Sequence, residues 1–479
     1  MAARKSGTLQ ADVSGTLQAD DYARHLLDDL GLSAHAANLS RTLSGTLSSN
    51  EDHPALAWRR AGMMQISGPP DSPGLVAPVA LASTANGALQ ALQALAPNAP
   101  LPPTGCVVLG ERGRIRNTSR RGWASPNNFS FLFPTADGHI VITLARQDDW
   151  DMLPALTFGA IPEQLNKPEE LRPYFKQFTT EELVTQGHLI GLAIAAHGLP
   201  REMRKGRKWM QNLCPQNTPA KNKTPLVVDL SSLWAGPLAS SLLLKLGARV
   251  VKLETASRPD GARGGNQDFY NLLNGGKQNL ALDFATAQGR EKLAQVLDAA
   301  DIVIEASRPR ALRQLGIDAE AMVRNRPGKL WLSLTAYGRH PDYETLIGFG
   351  DDIAASAGLS GLMEAGHDTV CFAGDAFADS LTGLHAALAA WGGYLTGGGL
   401  IDMALHDVVS HAIASDPAVK FTAQGCDAGR IKQQAVAWQA LAEQDEQAET
   451  PFYPMREIPE SAGELGADTA KVLDDLNLH

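Results

Sequence analysis

At 479 residues the chain is too long for a single hydrophobic core and predicts two or three domains. Hydrophobic residues make up 44% and charged residues 20%, the balance of an ordinary globular protein. The formal net charge of −10 argues against general nucleic-acid binding, which needs a dominant basic surface.

The start, MAARKSGTLQADV, has no apolar signal core, and no uncharged run reaches the roughly 18 residues of a membrane span. The short tandem SGTLQADV, SGTLQADD over 1–20 reads as a flexible start without chemistry. Cys106, Cys214, Cys371 and Cys426 are scattered and form no CxxC pair, which predicts neither a metal site nor a disulfide framework. A reducing cytoplasm fits that usage, with no membrane partner.

The next features repeat. DYARHLLDDLG (21–31) parallels PLASSLLLKLG (237–247), which sets Gly31 opposite Gly247 at an offset of 216. VALASTANGALQALQ (79–93) parallels the later FAGDAFADSLTGLHAALAAW (372–391), with Gly87 opposite Gly383 at an offset of 296. The first copy therefore lacks the residues in which most strands of the second would lie, and it reads as a degenerate half-repeat over 1–100.

Residues 101–210 read as a small α+β domain. FSFLF (129–133) and IVITLA (140–145) flank the turn signal Asp137–Gly138, and an acidic helical segment follows. The basic run REMRKGRK (201–208) reads as a solvated helix end and not as a phosphate patch. The proline-bearing stretch 211–224 reads as a linker.

From 225 to 410 the pattern is clearest. PLVVDL, ARVVKLE, QNLALDF, DIVIEA and LWLSLTAYG are short apolar, β-branched runs separated by segments of helical period. Runs that are apolar throughout imply parallel strands covered on both faces. The fold class is α/β: a Rossmann-like parallel-sheet large domain, here preceded by the smaller α+β domain. Residues 411–479 read as a C-terminal helical return segment.

Parallel sheets bind ligands at the carboxyl ends of their strands. Glu254 ends the second strand, where a dinucleotide fold keeps its ribose-binding acid. The first turn, SSLWAGP, has a single Gly236 and no GxGxxG, so pyrophosphate would lack its close backbone contact. An NAD enzyme is disfavoured.

VVDLSSLWAGPLASSLLLKLGARVVKLE, NGGKQNLALD, DIVIEASRPRALRQLGI, GFGDD and GGGLIDMALHD follow one another in an order and spacing that resemble the large domain of family III CoA-transferases. SPNNFSFLFPTADGHIVITLA resembles that family's small domain, which there follows the large one, and ELGADTAKVLDDL resembles its tail. The resemblance implies an acyl-CoA:carboxylate CoA-transferase, with a 2-methylacyl-CoA racemase of the same superfamily and a non-catalytic CoA-binding scaffold as alternatives. Coenzyme A would be carried as a thioester substrate, with no permanently bound cofactor. A homodimer is also implied.

In that family the nucleophile is an aspartate followed four residues later by glycine at a helix start, which corresponds here to Asp379 and Gly383. Asp375 is the rival, but its fourth follower is Asp379. Independently, a helix N-terminus favours an anion, and a glycine inside a helix costs roughly 1 kcal/mol, so Gly383 wants a reason such as a ligand's approach. Ser83 stands in the aspartate's place in the first copy, which predicts a catalytically dead copy kept for architecture. By resemblance Arg258 and Arg308 meet the coenzyme's nucleotide, and Lys277 is a weaker candidate. SRPR and NGGK depart from the usual FRPG and NRGK there. Where the racemases carry Gly-His-Asp, this chain reads Gly350-Asp351-Asp352, which disfavours that activity. His385 reads as a core or surface histidine.

Overall fold

The computed structural model describes residues 15–39, 52–204, 206–218, 224–422, 425–459 and 461–478. The first SGTLQADV copy lies outside them. The second does not hang free: Leu17 and Ala19 are buried, and helix α1 (Ala19–Asp29) begins within it. Its apolar residues Tyr22, Ala23, Leu26 and Leu27 recur at helical spacing and are all buried. Helices α2 (Pro54–Arg60), α3 (Leu81–Leu95) and α4 (Val107–Arg116) follow.

A small antiparallel sheet comes next. Strands β1 (Ser130–Pro134) and β2 (His139–Thr143) close around the Asp137–Gly138 turn, and β3 (Ala193–Ala196) pairs with β2 on the other side. Phe131, Phe133, Ile140 and Ile142 point to one face and pack on Leu171, Phe175 and Leu183. Leu132, Val141 and Ala195 point to the other face and pack on Ala355 and Phe372, so the sheet is covered on both sides.

The main sheet has seven strands. In chain order they are β4 (Gln211–Asn212), β5 (Leu226–Asp229), β6 (Arg249–Glu254), β7 (Gln278–Ala281), β8 (Ile302–Glu305), β9 (Leu330–Thr335) and β10 (Gly399–Ala404). In space the order is β4-β10-β9-β8-β5-β6-β7, and every pair is parallel except β4 with β10. The 211–224 segment thus adds a strand at the sheet edge. Alternate residues serve opposite faces: Val227, Ile302, Ile304 and Leu332 face one core, while Val228, Val251, Val303 and Trp331 face the other. The strand order reverses between β5 and β8, which makes the carboxyl end of that pair the expected ligand crevice.

Three further helices complete the frame: α5 (Ala235–Lys245), α6 (Gly350–Ser356) and α7 (Phe377–Leu395). Helix α7 is nearly all buried, an alanine-rich rod pressed against α5 on one side and α3 on another. A Cβ on Gly383 would lie 2.5 Å from Leu238 Cδ2 and 2.9 Å from the Ala235 carbonyl oxygen. The glycine is there for helix packing. Gly87 in α3 has matching neighbours, since its Cβ would lie 2.6 Å from the Ala19 oxygen and 3.0 Å from the Tyr22 ring. Ala19 and Tyr22 precede Ala235 and Leu238 by the same 216 residues.

The REMRKGRK run is no helix end. Arg204 and Arg207 pair with Asp407 at 2.8 and 2.7 Å, Arg207 also with Asp402, and Lys208 with Asp29. Lys205 lies outside the described residues. After a long helix (Ala428–Gln447) the chain returns as an extended strap: Tyr453 N–H bonds the Arg60 oxygen, Arg456 pairs with Glu111, and Ala462 N–H reaches Asn271. Among the described residues no helix is long and apolar enough to cross a membrane.

Candidate active site

The loop before α7 turns twice through left-handed backbone, at Gly374 (φ 83°) and at Ala376 (φ 45°), the N-cap. An alanine in that region is strained, and something must hold it. Asp351, in the first turn of α6, does so: its Oδ1 accepts the Ala376 N–H at 2.6 Å. The turn delivers Asp379 as the third residue of α7, with its N–H bonded to the Ala376 oxygen.

Around this turn four carboxylates gather, and their other partners come from the first half of the chain. Arg112 of α4 grips Asp375 with both prongs, Nε to Oδ2 at 2.7 Å and Nη2 to Oδ1. Asn127, just before β1, donates through Nδ2 to Asp375 Oδ1 at 2.9 Å and to Asp351 Oδ2 at 2.7 Å. Ser130 Oγ also reaches Asp351 Oδ2, at 3.3 Å. Thr143 of β2 donates to Asp352 Oδ1 at 2.7 Å, and among the described residues the second oxygen of Asp352 has no hydrogen-bond partner. Arg112 itself lies 4.4 Å over the Trp234 ring, which stands at the end of the β5 turn.

Four acids around one guanidinium cannot all be anions at little cost. Burial pushes Asp379 up to about 7, and Asp351 and Asp375 push the same way against Arg112 and the Gly350 N–H. Burial and the Asp375 charge lift Asp351 to about 6. Burial lifts Asp352 to about 7, despite its bonds to Thr143 and Phe349 N–H. Asp379 is the partly accessible member, whereas Asp351, Asp352 and Asp375 are buried. Among the described residues it has no salt bridge of its own. An acid titrating near neutrality at an open edge can act as nucleophile or base.

Asp375 and Asp379 stand together, as their spacing suggests, but Asp375 has both oxygens engaged. Arg258 and Arg308 are exposed just beyond the carboxyl ends of β6 and β8, on either side of β5. Lys277 is buried: its Nζ bonds Asp229 at 3.1 Å, the Pro237 oxygen and Asn274. Glu254 is bound to Arg263 and the Asp260 N–H. His385 is a core residue that joins the halves, with Nε2 on Tyr22 Oη at 2.9 Å and Nδ1 on the Leu381 oxygen. Burial pushes it down to about 3, so it stays neutral. Ser83 is buried at 2% exposure.

Arg112 and Asn127 are site residues that the sequence did not single out. Asn127 sits inside a stretch already marked by its resemblance to the small domain. Arg112 carries no local signal.

Residues 225–443 match the family model of CoA-transferase family III. An acyl-CoA transferase of Fusarium pseudograminearum is 27% identical over 179 residues, covering 34% of this chain and 39% of the relative. A probable fatty acyl-CoA transferase of Mycobacterium tuberculosis is 31% identical over 160 residues, 30% of this chain and 39% of its own. A succinate–glutarate CoA-transferase of Agrobacterium fabrum is 27% identical over 207 residues, 40% and 52% respectively. The matched parts thus span about two fifths to one half of these relatives. The region similar to CoA-transferase family III, residues 225–443, bears Asp379.

Proposed function

We propose that the chain is an acyl-CoA:carboxylate CoA-transferase whose nucleophile is Asp379. The observation that carries this is the accessibility of that one acid: it alone of the four is partly open, at the first turn of α7, and among the described residues it has no salt bridge. The ionised carboxylate attacks the thioester carbonyl, the C–S bond breaks, and an acyl-aspartyl anhydride and CoA thiolate result. The thiolate then attacks the aspartyl carbonyl and releases the donor acid, leaving an aspartyl-CoA thioester. The acceptor carboxylate collects CoA by the same two steps in reverse, and Asp379 returns as carboxylate. Each intermediate stays about as activated as a thioester, provided water is kept out.

Arg258 and Arg308 suit the phosphates of the coenzyme, because they flank the crevice where the strand order reverses. Lys277 acts at one remove, by bracing Pro237 and Asp229 of the same turn. The racemase alternative needs a free base at position 351. Asp351 titrates in a usable range, yet the Ala376 N–H, Asn127 and Ser130 occupy it, which favours transfer.

The first copy is best read as a duplicate of the helix pair without its chemistry. Gly87 and Gly383 make their helix contacts 296 residues apart, and Ala80 N–H bonds Asp416 at 2.6 Å where Ala376 N–H bonds Asp351. Ser83 would give a stable ester in place of an anhydride, so that copy performs no transfer. The homodimer implied by resemblance would leave the contacts from Arg112 and Asn127 in place, since they lie within one chain.

Trapping tests the reading. The protein is incubated with a panel of acyl-CoA thioesters, quenched with hydroxylamine, and the peptide bearing Asp379 is weighed. A hydroxamate at Asp379 that is absent in Asp379→Asn is expected. Bound CoA with an unmodified peptide would instead establish the scaffold.

A further inference from the structure

The first half of the chain reaches the proposed nucleophile's loop in the second half. Arg112 and Asn127 stand 263 and 248 residues from Asp375 and meet it through partly buried hydrogen bonds. The chain of contacts is continuous. Arg112 holds Asp375, Asn127 bridges Asp375 to Asp351, and Asp351 holds the strained Ala376 that starts α7. Gly374, at the other end of the same turn, is tied to Ser67 of the first half by its N–H at 2.9 Å.

We propose that Arg112 is a positioning residue for Asp379: it fixes the 374–379 turn through Asp375 and Asn127, and among the described residues it supplies the only cation in the carboxylate cluster. This rests on the reading of Asp379 as nucleophile. A salt bridge serving stability alone would not need its cation to face a third, unpaired acid. The charged groups facing Asp379 are Arg112 from α4, Asp351 from α6 and Asp375 from the turn, with the Gly350 N–H as a neutral donor. Two of the three charges oppose its ionisation and one favours it. The geometry therefore gives Arg112 two separable effects, one of charge and one of fork shape.

Lysine keeps the charge but cannot make the two-pronged grip, and glutamine loses the charge. The titration of Asp379 is followed in the full-length protein by the 13C carboxyl resonance that disappears in Asp379→Asn. The rate of hydroxylamine capture with acetyl-CoA is followed alongside. Arg112→Gln is expected to raise the Asp379 midpoint by about one pH unit or more. Arg112→Lys is expected to leave the midpoint near that of the unaltered protein but to slow capture roughly tenfold or more at a pH where the acid is ionised. If Arg112→Gln does not fold, Asn127→Ala carries the positioning arm: kcat falls while KM holds. An Asp379 midpoint unmoved in Arg112→Gln, or capture unslowed in both Arg112→Lys and Asn127→Ala, overturns the inference. The unaltered protein giving no adduct with any thioester overturns the transfer reading instead, and does so by a different signal.

Discussion

Gly350 gives up its side chain to Asp379. A Cβ at position 350 would lie 2.5 Å from Asp379 Oδ2 and 2.6 Å from the Ala376 oxygen. Both neighbours are closer than a methyl group can tolerate, and one belongs to the proposed nucleophile. Gly350→Ala should therefore displace the acid before it disturbs the core. We expect capture at Asp379 to fall on the order of 10²-fold. The stability loss should be about 1–3 kcal/mol, the ordinary cost of overpacking. Gly383→Ala is the control, because the atoms nearest its Cβ would be those of Leu238 and Ala235 of α5 and not an oxygen of the acid. It should cost similar stability with a smaller loss of capture. Comparable capture losses in the two variants would show that packing, not the acid's placement, is at stake.

The pH dependence of capture follows from the crowd of acids. Asp379, lifted to about 7 by burial and by its acidic neighbours, must lose its proton to attack. The capture rate should rise through pH 7 and level off about one unit above. Asp351→Asn removes a like charge and should move that rise to lower pH. A rise centred near the ordinary carboxylate range would contradict the packing described for this acid.

Asp352 gives a stability test with the opposite outcome to a salt-bridged acid. Burial holds it at about 7 when folded, above its unfolded value, and its Oδ2 has no hydrogen-bond partner among the described residues. The folded state thus binds more protons between the two values, so stability falls as pH rises through that window. Asp352→Asn removes the group that becomes charged. Its effect on the thermal midpoint should be small near pH 4 and stabilising above pH 7, by up to about 2–4 kcal/mol. A gain that does not grow with pH would place the proton elsewhere in the cluster.

How much of this the sequence carried depends on the range of the interaction. Strands β5 to β9 were legible because a parallel strand covered on both faces must be apolar throughout, and LVVD or IVIE shows that in four letters. Strand β3 was not, since AIAA has weak β preference and gains its partner only from the fold. The helix around Gly383 was legible, but its reason was not. Periodicity announces a buried face without naming the neighbour, and the neighbour is Leu238 of α5, not a ligand.

The acid pair was legible as a local phrase, four residues apart at a helix start. The side chains that tell the two acids apart were not. Arg112 lies in a helix whose own pattern gives no sign of a site, and only tertiary packing brings it to Asp375. The basic run at 201–208 shows the same limit from the other side. Arg204 and Arg207 read as solvated because their acidic partners are about 200 residues away in sequence: Asp402 lies in β10 and Asp407 just beyond it.

The three cations proposed for the coenzyme should separate into two kinds. Arg258 and Arg308 are exposed, and among the described residues neither is held in a salt bridge, so replacing them removes nothing from the core. Charge-assisted bonds to phosphate are worth roughly 1.5–3 kcal/mol each, which converts to about a tenfold rise in KM for a CoA thioester or more. Arg258→Gln and Arg308→Gln should show that rise with kcat and the melting midpoint unchanged, and the rise should shrink with added salt. Lys277 is buried against Asp229. Although burial pushes Asp229 up, Lys277, Lys252 and two serine hydroxyls hold it down at about 2. Lys277→Met would leave that carboxylate with a cation fewer, and about 3–5 kcal/mol of stability should go with it. Isothermal titration with CoA and thermal melts on the three variants distinguish the kinds. A melt of Lys277→Met equal to the unaltered protein, with CoA binding lost, would put Lys277 in the crevice with the arginines.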